Sequence, residues 1–248
     1  MTIAEKIVKL DEEADKLIDL NNELEQTLYG TDTGGKSFYD AFWDAYQDNG
    51  NRLNYQYSFC AMGWNDNTFK PKYDLTLGKG YTGTLMFWEC YVTDLAETLE
   101  KQGIKLDTTL CGYMEKMFQN AKTKRVPELN CSHAMDYNSN GLNMTFINSQ
   151  VETIDKLIVH EALVYKSTFQ GCTNLKNIVF EGVIGQDINF QWSTLLSRPS
   201  IESIVNHLSD TASGKTLTLS KTAVNNAFST EEWNTLVSTK SNWTITLV

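Results

Sequence analysis

Residues 145–159, TFINSQVETIDKLIV, and residues 168–180, TFQGCTNLKNIVF, decide the reading of the fold. In each, a phenylalanine (Phe146, Phe169) is followed three residues later by a small side chain (Ser149, Cys172), and a β-branched run closes the segment. Outward toward the N-terminus the same frame returns at Phe118 in MFQNAKTKRVPEL (117–129) and at Phe87 in MFWECYVTDL (86–95), with Ala121 and Cys90 in the small position. The heads stand 31, 28 and 23 residues apart, and Phe59 in SFCAMGW (58–64) lies 28 before Phe87 as a degenerate first unit. Apolar residues follow the two middle heads at eight and eleven, Val126 and Leu129, then Ile154 and Leu157; the last unit deletes two residues and sets Leu175 and Ile178 at six and nine. One such unit cannot bury its own apolar side, so units must stack, Phe on Phe and Leu on Leu, with short strands in parallel ladders. Asn120, Asn148 and Gly171, two after their heads, suit a turn.

The C-terminal section has its own duplication. TLTL (216–219) and TITL (244–247) are alternating strands 28 residues apart, each after an amphipathic helix. Ile201, Ile204, Val205 and Leu208 share one face of the first helix; Trp233, Leu236 and Val237 share a face of the second. Pro199 sits in the first turn of one and Thr230 reads as the N-cap of the other. The pair reads as a cap, and the strand at its end needs charge or a partner to protect its edge.

At the other end, Ile3, Ile7, Leu10, Ala14, Leu17, Asn21, Leu24 and Leu28 alternate by four and three, a heptad seam whose one polar member is Asn21. A 3.5-residue period suits a partner helix better than a globular core, so residues 1–29 are expected to form a parallel coiled coil. Asn21 at an a position leans toward a dimer. Gly30-Thr31-Asp32-Thr33-Gly34-Gly35-Lys36-Ser37 matches the phosphate-loop pattern letter for letter, with Lys36 and Ser37 as the phosphate and magnesium residues. It follows the tail of a heptad helix rather than a hydrophobic strand, so it reads as a glycine hinge, with nucleotide hydrolysis the alternative of a different class. FYDAFWDAY (38–46) reads as a short amphipathic helix whose aromatics are core.

The 248 residues carry 31 acidic and 21 basic side chains, a net charge of −10, which argues against a nucleic-acid partner. The charged N-terminus has neither a signal-peptide core nor a membrane span, so no membrane insertion is expected. Five cysteines with no CxxC pair read as reduced buried thiols, two of them (Cys90, Cys172) filling the small position behind a head. His133, His160 and His207 have no acid or nucleophile at a catalytic spacing; His133 and His160 sit at matching places after their heads but fall short of a metal's three or four ligands. Asp40 and Asp44, at i and i+4, read as a solvated helix face. No catalytic residue, cofactor or metal is expected.

MFQNAKTKRVPELN (117–130), TFQGCTNLKNIVFEG (168–182) and INFQWSTLLSRPSIESIVNHLSDTASGKTLTLSKTAVNNAF (188–228) resemble the BspA-type leucine-rich repeats of gut bacteria and of the tail-gene regions of their phages. The resemblance spans roughly residues 52–248, and NRLNYQYSFCAMGWNDNTFKPKYDL (51–75) resembles the Asn- and aromatic-rich section of related phage chains. It implies a virion tail or fibre protein, structural or receptor-binding, assembled in the bacterial cytoplasm. Its partners would be other virion proteins, a bacterial surface protein or glycan, and itself as the trimer common among fibres. A bacterial adhesin or scaffold is the nearest alternative. The expected fold is thus an α/β solenoid of irregular leucine-rich repeats with a coiled-coil helix before it and a helix-strand cap after it. Its parts are a stalk (1–29), a hinge, short helix and aromatic-rich capping region (30–84), a repeat body (85–180) with Phe87, Phe118, Phe146 and Phe169 at its core, and a cap (181–248).

Overall fold

The computed structural model describes residues 38–48, 52–53, 59, 64–79, 83–136 and 139–248. The chain divides into a unit ending at Asp48 and a second unit, Asn49–Val248. In the first, FYDAFWDAYQD forms α1 (Phe38–Asp48), whose buried Trp43 meets Phe42 edge-on at 5.0 Å.

The second unit runs β1 (Arg52–Leu53), β2 (Leu75–Leu77), α2 (Leu95–Gln102), β3 (Leu106–Asp107), β4 (Arg125–Val126), β5 (Leu129–Asn130), β6 (Thr153–Val159) and β7 (Asn177–Gly182). It continues through β8 (Ile188–Phe190), α3 (Arg198–Asn206), β9 (Lys215–Leu219), α4 (Lys221–Ala227), α5 (Thr230–Ser238) and β10 (Trp243–Leu247). Its core is a column of six phenylalanine rings. Phe59, Phe87, Phe118, Phe146, Phe169 and Phe190 stack in chain order at 5.2, 5.1, 5.4, 5.7 and 4.4 Å between centroids, and none is more than 1% exposed.

The backbone around each ring explains the spacing of the sequence. Residues two before and two after the four middle heads have positive φ: Leu85 and Glu89, Lys116 and Asn120, Met144 and Asn148, Ser167 and Gly171. Left-handed residues alternating with ordinary turns send every second N–H out of the layer. Phe87 N–H donates to the Met117 carbonyl, Phe118 to Thr145 and Phe146 to Thr168, and the left-handed neighbours of these three heads donate in the same way. The N–H groups between them close turns within the layer, as Met86 does on Gly83 and Cys90 on Phe87. A left-handed non-glycine residue costs roughly 1–2 kcal/mol, least for Asn. The interlayer bonds and the ring stack offset that cost.

The expected α/β solenoid of irregular leucine-rich repeats is not the architecture found. The described strands form three separate parallel sheets: β1-β2-β3; β6 flanked by β4 and β5 on one side and β7 on the other; and β8-β9-β10. Side-chain hydroxyls end the ladders. Past β3, the Thr108 hydroxyl accepts from Asn130 N–H at 2.7 Å and donates to the Asn130 carbonyl at 3.0 Å, standing where a longer β3 would pair with β5. On the far edge of β7, Ile178 and Phe180 donate to the hydroxyls of Ser200 and Ser203 of α3, both at 2.9 Å. A helix therefore closes an edge that a continuous ladder would extend. The expected coiled coil of residues 1–29 lies outside the described residues. Within residues 181–248, β9 and β10 form one sheet with β8, paired in register from Thr216 opposite Thr244 to Leu219 opposite Leu247.

Register within the middle sheet also differs from the spacing expected of the last unit. Ile178, not Leu175, lies opposite Ile154, and Phe180 lies opposite Leu157; between these pairs β6 carries one more residue than β7, a bulge at 155–156. Leu175 is buried outside the strand.

The N-cap of α5 is Ser229, not Thr230, which is the first helical residue. Ser229 and Glu232 form a reciprocal capping box. The Ser229 N–H at 2.8 Å, and then the Arg198 guanidinium at 2.8 Å, hold the Glu232 carboxyl down at about 2, below its ordinary 4.5. A depressed carboxylate stabilises the fold fully above its unfolded pKa and loses that contribution as pH falls through the folded value. Glu232→Gln keeps the amide acceptor of the box and removes the charge. Its melting temperature is expected to lie below that of the wild type at pH 7, and the gap to close between pH 4.5 and pH 2; a gap independent of pH in thermal melts would contradict this assignment.

Candidate functional site

The interior of the column is chemically quiet. Cys90 and Cys172 fill the space behind Phe87 and Phe169, and burial pushes their thiols up to about 11 and about 12. Cys111 and Cys131 are also buried and form no disulfide. Such thiols stay protonated and inert at neutral pH. His133 pairs with Asp136 at 2.8 Å. His160 is half-buried, with its pKa lowered first by burial, raised by Asp136 and lowered by His133. These three groups are near one another, yet among the described residues no three His, Cys, Asp or Glu side chains are placed to hold a metal ion.

Among the described residues, two surface places bring sequence-distant elements together. The first is the loop QWSTLLS (191–197) between β8 and α3. Phe190 anchors it in the ring column, and the Phe190 carbonyl accepts from Ser193 N–H at 3.0 Å. The buried Ser193 hydroxyl donates to the Cys172 carbonyl at 3.1 Å, Leu196 is buried, and Ser197 N–H donates to the Lys176 carbonyl at 2.8 Å. Between these pins Trp192 is 45% and Leu195 50% exposed. The loop carries no charged side chain. It is thus a pre-ordered, uncharged mount for one large aromatic and one aliphatic side chain, the composition of a binding hot spot. Holding such side chains in place before contact lowers the entropy cost of binding.

The second place is a shallow pocket of about 310 Å³ lined by Glu161, Ala162, Gly185, Gln186, Thr211, Ala212 and Lys215. The Glu161 carboxylate accepts from the hydroxyls of Ser209 and Thr211, which lower its pKa, and Lys215 donates to Gln186 at 2.7 Å. Behind it the 208–212 turn is tied down by Lys240, Asn242 and the Trp243 indole. Its charged groups already have partners, so the pocket orders the turn and supplies no nucleophile.

Of the residues the sequence singled out, Phe87, Phe118, Phe146 and Phe169 lie together in the column. Ile3, Ile7, Leu10, Ala14, Leu17, Asn21, Leu24, Leu28, Lys36 and Ser37 lie outside the described residues. Trp43, Trp64 and Phe69 are buried, whereas Trp192, which nothing in the spacing marked, is exposed. The signal available for that segment was Ser193, a small residue three after Phe190 as in the other units, which makes Phe190 a head and leaves Trp192 beside it in a position held elsewhere by Glu89, Asn120, Asn148 and Gly171. No helix among the described residues is long and apolar enough to cross a membrane.

No protein-family model, curated protein or solved structure matches the chain.

Proposed function

We propose that the protein is a binding component of a phage virion, in the tail or fibre, that contacts a protein or glycan on the bacterial surface. The observation that carries this reading is the Trp192–Leu195 pair, held out on a loop whose backbone is fixed at Phe190, Ser193 and Ser197. The resemblance to chains of phage tail-gene regions supports the setting. Self-association through the heptad seam from Ile3 to Leu28, as a dimer or trimer, belongs to the same proposal, since two or three linked copies of a weak site bind a cell with far higher avidity than one.

The test uses fluorescently labelled full chain and a panel of intact gut-bacterial strains. At least one strain is expected to bind saturably, and Trp192→Ala with Leu195→Ala to lower that binding at least tenfold without a change in melting temperature. Protease or periodate treatment of the cells separates a protein receptor from a glycan. A panel in which no strain binds, or a double variant that binds as the wild type does, would remove the reading.

A further inference from the structure

Among the described residues β10 is an edge strand of the third sheet, and its layer is covered differently from the one before it. Leu217 and Leu219 of β9 are fully buried, whereas Ile245 and Leu247, paired with them, are half-exposed. Ile201, Ile204 and Val205 of α3 are buried, while α5 buries no residue and leaves Trp233, Leu236 and Val237 half-exposed. Val248 is 56% exposed. The backbone is open on the same side. Val248 N–H donates to the Leu219 carbonyl and the Val248 carbonyl accepts from Lys221 N–H, so the alternation of a parallel ladder turns the N–H and C=O of Ile245 and Leu247 to the free edge. Sheet edges are ordinarily guarded by a charge, a proline or a bulge. WTITLV (243–248) has no charge and no proline, and its pairing with β9 is regular.

We propose that this edge pairs antiparallel with β10 of a second copy about a two-fold axis at Ile245. The occupant follows from reading W-T-I-T-L in both directions. About Ile245, Thr244 stands opposite Thr246 of the second copy, and Trp243 stands opposite its Leu247, so polar meets polar and apolar meets apolar on each face. Ile245 meets itself through the two backbone groups that face the edge. A shift of one residue sets Thr244 against Ile245 and puts the apolar sides of the two copies on opposite faces. Charge agrees with this pairing: the chain carries −10 overall, but the strand carries none, so the two-fold sets no like charges across the edge. An antiparallel pair also closes, whereas a head-to-tail contact leaves an edge free to grow into a filament.

The experiment is the mass of the full chain in solution at tens of micromolar, by analytical ultracentrifugation, for three proteins. The pairing joins copies that the rest of the chain does not already join, so the wild type is expected at twice the mass of Thr244→Lys/Thr246→Lys, in which lysine faces lysine across the two-fold. Thr244→Lys/Thr246→Glu is expected to regain the wild-type mass, because each lysine then faces a glutamate of the other copy. Equal mass for the wild type and the double-lysine variant overturns the proposal, as does a lysine–glutamate variant that keeps the wild-type circular dichroism but stays at half the mass. Hydrogen exchange on the wild type alone gives an independent reading. The Ile245 and Leu247 amides are expected to gain protection as concentration rises, and amides that exchange freely at every concentration overturn the proposal as well.

Discussion

Phe118→Ala is expected to destabilise the protein by about 3–5 kcal/mol, the usual cost of truncating a buried phenylalanine. The ring is fully buried, lies 5.1 Å from Phe87 and 5.4 Å from Phe146, and is nearly parallel to both, at 6° and 5°. Its neighbours cannot close over the gap cheaply. Interlayer backbone bonds on both sides, Phe87 N–H to the Met117 carbonyl and Phe118 N–H to the Thr145 carbonyl, fix the layer spacing that the missing ring filled and remain in the variant. The cost is therefore expected near the top of the range, and Phe118→Leu, which refills part of the volume, to recover a good share of it. Urea unfolding of the three proteins measures this; a Phe118→Ala loss below about 1 kcal/mol would be incompatible with a close-packed column.

Gly182→Ala is expected to cost on the order of 3 kcal/mol, through backbone rather than core. Gly182 closes β7 opposite Val159 with φ at 93°, a region that L side chains rarely adopt, and a Cβ there would run into the Val159 carbonyl oxygen. The substitution must move one of the two strands, β6 or β7, that pair in the middle sheet. Gly103, the C-cap of α2, supplies the control: its φ is 66°, but a Cβ there meets nothing within 4 Å. Gly103→Ala is expected to cost about 1 kcal/mol, the strain alone. Equal losses for the two variants would mean that the contact with Val159 does not matter.

The ring column was legible in the sequence because a phenylalanine that returns at a nearly regular spacing, with a small residue three positions later, is the mark of one layer set upon the next. Asn120, Asn148 and Gly171 were legible as turn residues for the reason the structure gives, a left-handed backbone. Their counterparts Leu85, Glu89, Lys116, Met144 and Ser167 were not, because the interlayer hydrogen bonds impose that conformation on residues with no preference for it. The division into three sheets was hidden by a different cause. Thr108, Ser200 and Ser203 end ladders with their hydroxyls, yet nothing in their sequence neighbourhood separates them from the many other Thr and Ser of the chain. The last unit is not shortened by two residues: its paired residues Ile178 and Phe180 stand nine and eleven after Phe169, against eight and eleven for Ile154 and Leu157 after Phe146, and the bulge in β6 accounts for the one-residue difference, which a count of spacings does not show. For the site, an exposed tryptophan reads like a buried one until the pins around it are placed, and only the structure placed Ser193 and Ser197.

Six phenylalanines from separate layers form one continuous stack that ties three short sheets into one core. Through-space proton contacts in a deuterated protein carrying protonated phenylalanine rings test it most directly. Cross-peaks are expected between Phe87 and Phe118, Phe118 and Phe146, Phe146 and Phe169, and Phe169 and Phe190, whose centroids lie 4.4–5.7 Å apart, and none between rings that skip a layer. A ring among these five with no contact to the ring of the next layer, or with contacts to solvent instead, would contradict the stack and the fold built on it.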